Sequence, residues 1–309
     1  MSTLQQHMAD DLAAGAPDGL APLIARIRAR CGPALRAVVL YGSTRRSANV
    51  HDGLVDLMAI VDDYRAVHGI GLTAMLNHLL PPNVYYLEAG ADDERVRCKF
   101  IIVSERNFHT RTGGGLDGYF WARFTQPCRL VWNADEAAAD FVTECRARAA
   151  AHFATEAVRL GDGEIGARDF WIRAISATYG CELRPEPPGA ARALIARDPH
   201  FWDRLSEALL PELPGLTATG DRTWRVAIPA RRRLVGRLRW TLRRGWSKAL
   251  NLARLLKAAG TFANGVDYLS WKLERHSGIK VEVTDAMRRH PRLASWKLLI
   301  RMWRNGALG

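Results

Sequence analysis

The segment VVLYGSTRRSANVHDGLVDLMAIVDDY, residues 38–64, constrains the fold more than any other part of the chain. Two apolar runs, 36–41 and 54–61, show little polar alternation and read as buried strands. Between them stand Gly42-Ser43 and a polar loop ending at Gly53, and inside the second run stands one acid, Asp56. A carboxylate buried without a partner costs several kcal/mol, so something has to answer Asp56. One answer is a divalent cation. Gly42 lets the backbone approach a ligand, Ser43 offers an N–H and a hydroxyl, and successive N–H groups at a turn cradle phosphate. An acid on the next strand then holds Mg²⁺ against those phosphates. The other answer is a plain turn, with Asp56 paired to an arginine such as Arg45.

The surrounding text supplies the rest of an α+β domain. LIARIRARCG reads as a short helix closed by Gly32, and 65–79 as a second helix. NVYYLEAG and RVRCKFIIVS read as strands around the acidic turn ADDE. The triple glycine at 113–115 is a joint, followed by a short helix over 116–124, a strand over 128–132 and an Ala-rich helix over 135–159. Residues 160–230 look mostly helical, with breaks at RPEPPG and LPELPG.

Charge divides the chain unevenly. The net charge is +12 over 309 residues, yet 231–309 hold 19 Lys and Arg against 4 Asp and Glu, and 1–230 hold 25 against 28. A near-neutral body with a basic C-terminal segment suggests a polyanionic partner, a nucleic acid or an anionic membrane surface. Within that segment apolar residues fall at 234, 235, 238, 242, 246, 249, 252, 253 and 256. This is helical spacing, with arginines on the other side, and it reads as an interfacial helix or a core-packing one, which Gly236 and Gly245 divide in two. A groove for single-stranded nucleic acid is the third reading, but no RNA-binding signature accompanies the tryptophans. Five cysteines without a C-x-x-C pair argue against a disulfide framework or zinc site and for a reducing compartment. The first residues carry two early acids and no apolar run, unlike a signal peptide, and the longest stretch free of Lys, Arg, Asp and Glu, 66–87, is broken by Pro81-Pro82. The expectation is a cytoplasmic protein, peripheral on the inner face of a membrane, without signal peptide or transmembrane helix.

LYGS followed by VDLMAIVDD resembles the nucleotidyltransferase superfamily of polymerase-β type. That superfamily usually opens the second strand with Asp-x-Asp; here Asp56 matches the second acid and Leu54 stands at the first. A single Asp with a trailing VDD resembles one family in particular, the mitochondrial-type phosphatidate cytidylyltransferases, which are peripheral CDP-diacylglycerol synthases. NVYYLEAG, CKFIIVS, LDGYFWARFTQPCRLVW, YGCELR and LLKAAGTFANGVDYLSWKLERHSG resemble further segments of that family in the same order, across residues 36–278.

The resemblance implies a mixed-sheet nucleotidyltransferase domain over 1–150, a mostly helical, winged-helix-like substrate-side domain over 151–230, and a basic amphipathic region over 231–309 that docks on the membrane. It implies that CTP and phosphatidate react to CDP-diacylglycerol and pyrophosphate, with Mg²⁺ or Mn²⁺ as cofactor. Tyr41, Gly42 and Ser43 would hold the nucleotide, Asp56 and Lys99 would be catalytic, and Asp56 would hold the metal. A metal on one protein acid is weakly placed, and Asp52 is the first candidate for the second ligand, ahead of Asp62, Asp63 and Glu88. Arg184 and Lys257 would meet the substrate phosphate. No general base is needed, because a phosphate monoester with a second pKa of about 6 is already a nucleophilic dianion. The alternatives are a transferase of the same fold acting on RNA ends or a hydroxyl acceptor, or a catalytically silent member that binds membrane or nucleic acid. The missing Asp counts against the first and for the second. Oligomeric state has no sequence signal.

Overall fold

The computed structural model describes residues 1–46, 50–51, 53–90, 95–183, 186–261, 284 and 287. In chain order its elements are α1 (Thr3–Ala13), α2 (Ala21–Cys31), β1 (Leu35–Tyr41), β2 (Leu54–Val61), α3 (Tyr64–His68), α4 (Leu72–Leu79), β3 (Asn83–Ala89) and β4 (Val96–Ser104). There follow α5 (Glu105–Thr112), α6 (Tyr119–Phe124), β5 (Arg129–Asn133), α7 (Glu136–Val158), β6 (Gly163–Gly166), α8 (Ala167–Tyr179), α9 (Ala190–Arg197), α10 (Pro199–Leu209), β7 (Leu216–Gly220), β8 (Thr223–Val226) and α11 (Ala230–Thr261). The class is the expected mixture of helix and mixed sheet. By its contacts the chain divides into two compact units, drawn across the three-part division of the sequence: Met1–Ala16 with Glu105–Leu252, and Pro17–Ser104 with Ala253–Gly309.

In the second of these units the four strands run β3-β4-β2-β1. β2 pairs antiparallel with β1 and parallel with β4, and β3 pairs antiparallel with β4. Leu57, Met58, Ala59, Ile60 and Val61 are all fully buried, which is why the sequence of β2 shows a continuous apolar run rather than alternation. α2 buries Leu23, Ile27 and Cys31 along one stripe, and Gly32 ends it at φ 58, in the left-handed region that glycine adopts freely. The single helix expected over 65–79 is two. Gly69, at φ 69, closes α3 before α4 begins, with Asp63 accepting from Arg65 N at 2.8 Å as the N-cap of α3.

The other unit is built on α7, whose alanines let helices approach closely around Trp121, Phe153, Trp171 and Trp202. α1 and α5 have no counterpart in the expectations above. The cue for α1 was short but present: Ser2 and Gln5 form a capping box. Helices α8, α9 and α10 lie between β6 and the hairpin β7–β8, and these strands form an antiparallel sheet ordered β6-β8-β7. That is a winged-helix-like arrangement: 160–230 are mostly helical as expected, and three short strands are added to the helices.

α11 runs unbroken through Gly236 and Gly245, which corrects the expected division. At Gly236 the helix packs close against Arg159. A Cβ there would meet Arg159 Cβ at 2.5 Å. The inward face carries Gly236, Trp240, Arg243 and Ser247, while Leu234, Val235, Leu238, Leu242, Trp246 and Leu252 are exposed. So the apolar stripe of this helix faces outward, and the helix is held by its other side. The anchor is Glu156, 2% exposed, whose carboxylate accepts from Arg243 Nη2 at 2.8 Å and pairs with Arg159 and Arg239. The Arg243 guanidinium also lies 4.4 Å from the Trp240 ring centre and 5.0 Å from that of Trp121. Among the described residues no helix is long and apolar enough to cross a membrane.

Candidate active site

The Gly42 corner and Asp56 meet. β1 ends at Tyr41, directly across from Asp56 on β2, and Asp56 lies in register with Lys99 on β4, which is opposite Tyr86 on β3. Residues in register share a face, so Tyr41, Asp56, Lys99 and Tyr86 form one row across the sheet. Gly42 follows at φ 80, a left-handed conformation that a side chain resists. A Cβ on Gly42 would stand 2.9 Å from Asp56 Oδ2. The glycine is therefore needed both for its backbone angle and for the space the carboxylate occupies. Ser43, exposed, opens a single turn of 3-10 helix over 43–46, and Thr44 pins that turn by donating its hydroxyl to Leu54 O at 2.9 Å.

Lys99 Nζ lies 3.8 Å from Asp56 Oδ1, with the two side chains 34% and 27% exposed. Two expectations change here. Asp56 is not deeply buried but sits at the open end of the strand, so burial alone does not oblige it to bind a cation. Lys99 likewise is part-exposed, and its pairing with Asp56 is a loose contact that a ligand can enter between. Arg97 and Glu88, each two residues along from the row, share the same face. Glu88 accepts from the Tyr86 hydroxyl and from Arg97 Nε and Arg95 Nη1, both at 3.3 Å. Burial, and then the hydrogen bond to Glu88, push the Tyr86 phenol above its ordinary value. Tyr85 points to the opposite face, with Phe100 and the Arg30 guanidinium 4.3 Å from its ring centre.

Of the residues singled out in the sequence, the structure brings together Tyr41, Gly42, Asp56 and Lys99, with Ser43 beside them. Lys257 is engaged at the C-terminal end of α4, where its ammonium donates to Leu80 O at 2.5 Å, Pro82 O at 3.2 Å and Asn77 Oδ1 at 3.2 Å. Asp62 and Asp63 lie at the far end of β2, where Asp63 caps α3. Asp52 and Arg184 lie outside the described residues. Thr44 and Arg97 were missed. Arg97 was legible by strand alternation from Lys99, whereas Thr44 needed the loop's path.

Among the described residues no group of three or more His, Cys, Asp and Glu side chains stands together as a resident metal would require. Asp56, beside the glycine corner, is the carboxylate of this row that could hold a cation together with a ligand's own oxygens.

No protein-family model matches the chain, and no curated protein does. Among solved structures it is similar to a nucleotidyltransferase-like protein from Exiguobacterium sibiricum 255-15, with 11% identity, 92% of this chain and 90% of that one covered, and a TM-score of 0.28. That likeness is too distant to bear on the site.

Proposed function

We propose that the chain is a nucleotidyltransferase that makes CDP-diacylglycerol and pyrophosphate from CTP and phosphatidate at an anionic membrane surface. The observation that carries the reading is the contact of the Gly42 corner with the Asp56 carboxylate, with the Lys99 ammonium 3.8 Å beyond it on the same face. A phosphate chain laid along that corner meets backbone N–H groups, the Ser43 hydroxyl and a lysine, and a carboxylate stands where its cation would be shared. The bound cation would neutralise the triphosphate and draw charge from the leaving pyrophosphate. An oxygen of the phosphatidate phosphate forms the new bond to the α-phosphorus of CTP. The α–β bridging P–O bond breaks, and its electron pair leaves with pyrophosphate. The chain's own task is to align two polyanions and offset their charge: Lys99 contributes a cation, Gly42 and Ser43 fix the triphosphate, and no side chain has to remove a proton.

The exposed stripe of α11, flanked by Arg237, Arg244 and Lys248, supports the membrane part of the reading. Each basic group near an anionic surface contributes on the order of 1 kcal/mol.

The test is pyrophosphate release by the purified chain with CTP, Mg²⁺ and phosphatidate vesicles. Asp56→Asn is expected to lower turnover by about three orders of magnitude while vesicle binding stays the same, since it removes charge from the site and nothing from α11. Turnover that survives the change, or release that needs RNA in place of vesicles, sinks the reading.

A further inference from the structure

α4 is built inside out. Its inward positions are Ala74 and Asn77, the asparagine fully buried and accepting from the Lys257 ammonium at 3.2 Å. Its outward positions include Met75 and Leu79, 53% and 63% exposed. Just ahead of the helix Ile70 is 96% exposed, between Gly69 and Gly71. A helix that faces water does the reverse, keeping its amide out and its Met and Leu in. Single exposed apolar residues need no explanation, but Met75 and Leu79, one turn apart on α4 with a buried asparagine behind them, and Ile70 ahead of the same helix, do. Gly69, at φ 69, turns the chain so that the isoleucine projects.

The charge around this corner fits one kind of surface. No Asp or Glu occurs from Tyr64 through Leu87, the exposed Asp62 and Asp63 standing ahead of α3 and Glu88 beyond the window, while Arg65 stands on α3. Arg254 and Lys257 pack at the end of α4, Arg254 Nε donating to Pro81 O at 2.9 Å. We infer that the α3–α4 corner enters the interfacial region of an anionic bilayer, with Ile70 as the tip and Met75 and Leu79 seated among the acyl chains. Three side chains fall short of the roughly 800 Å² per partner that a stable pair of subunits buries, so a second copy is the weaker occupant. A lipid surface requires no such area, and an apolar helix face with basic groups on α3 and at its own C-terminal end suits it. This contact belongs to the unit that carries Asp56 and is additional to the stripe of α11. It stands whether or not the chain transfers a nucleotide.

The five native cysteines are buried, so a cysteine placed at position 70 is the one that a reagent reaches first. Ile70→Cys in the full chain, labelled with a polarity-sensitive fluorophore, is mixed with vesicles of phosphatidylcholine and phosphatidylglycerol. The expected result is a blue shift on vesicle addition. In parallel, Ile70→Asp and the double change Met75→Ser with Leu79→Ser are expected to lower vesicle partition about tenfold, with the thermal midpoint unchanged. Release of pyrophosphate from CTP, with a short-chain phosphatidate dissolved as monomers as the acceptor, is compared for the same proteins and is expected to match the unaltered chain. A label that stays unshifted while the unaltered chain floats with vesicles overturns the inference, as does a chain that binds no vesicles. A label already blue-shifted without lipid, and reversing on dilution, assigns the corner to a second copy and overturns it too. Loss of turnover on the soluble substrate by the unaltered chain counts against nucleotidyl transfer and leaves the bilayer contact standing.

Discussion

Gly42 and Asp56 show what a single position can and cannot declare. That a glycine precedes a serine after an apolar run is visible in the text; that its missing Cβ leaves room for a carboxylate oxygen at 2.9 Å is a fact of register, set by Tyr41 standing opposite Asp56. The exposure of Asp56 was misjudged for the same reason. An apolar run says that a strand is buried, not where along it the sheet opens. His7 gives a prediction at this scale. It is 5% exposed against Phe201, ring centres 4.7 Å apart, and burial pulls its pKa down to about 4 from 6.5, with Arg204 and Arg146 adding to the effect and Asp11 and Asp10 opposing it. The folded state therefore binds fewer protons than the unfolded state between those values, so stability falls as pH drops through 6.5 toward 4. By pH 5 the loss through this one group is about 2 kcal/mol. Urea midpoints at pH 7 and pH 5 check it: His7→Gln is expected to remove about that much of the decline, and an unchanged decline refutes the assignment. Nothing in the sequence marked His7, whose environment is assembled by helices far apart in the chain.

Among the elements, α11 was the most legible and also the most ambiguous. Its 3.6-residue spacing was plain, but the same spacing serves a core helix and a surface one. What decides between them is an inner face made of Gly236, Trp240, Arg243 and Ser247, which no hydropathy pattern would select as the buried side. Glu156 makes that choice stable. Burial would raise its carboxyl, but the hydrogen bond and charge of Arg243, joined by Arg159 and Arg239, outweigh burial and hold it below the usual carboxylate range. Its contribution is present above the ordinary carboxylate pKa and is lost as pH falls through the lowered value. Glu156→Gln leaves Arg243 buried without its counter-charge and is expected to cost about 3–5 kcal/mol, a drop in thermal midpoint on the order of 10 °C. Calorimetry showing less than 1 kcal/mol would mean that the ring contacts alone hold the helix. The strands of the winged helix were illegible for a different reason. β7 and β8 are short and carry few buried side chains, so they offer no apolar run to read.

At the scale of the molecule, charge was the property most directly given by composition. With the +12 balance concentrated after residue 230, the membrane binding proposed above should depend on ionic strength. Partition onto anionic vesicles is expected to fall at least tenfold between about 50 and about 500 mM salt. Co-sedimentation that ignores salt would assign the attachment to apolar contact alone. The division of the chain was hidden in the text. One unit takes its first helix from the N-terminus and the rest from beyond residue 105, which no change in composition announces. Asp11 explains why α1 belongs there: its carboxylate accepts from Arg129, from the buried Arg146 and from Cys128 N, contacts between residues more than a hundred apart.

The buried ion pair behind α11 has a consequence for how such a chain can change. Since orientation is decided on the inner side, the outer residues, about half or more exposed among the described residues, do little to hold the helix in place. Leucines there can be exchanged for other oily or aromatic groups, and arginines at the margin shifted by a turn, without disturbing the interior. On the function proposed above, the hold on one kind of lipid surface or another can thus be retuned while the proposed chemistry beside Gly42 stays as it is.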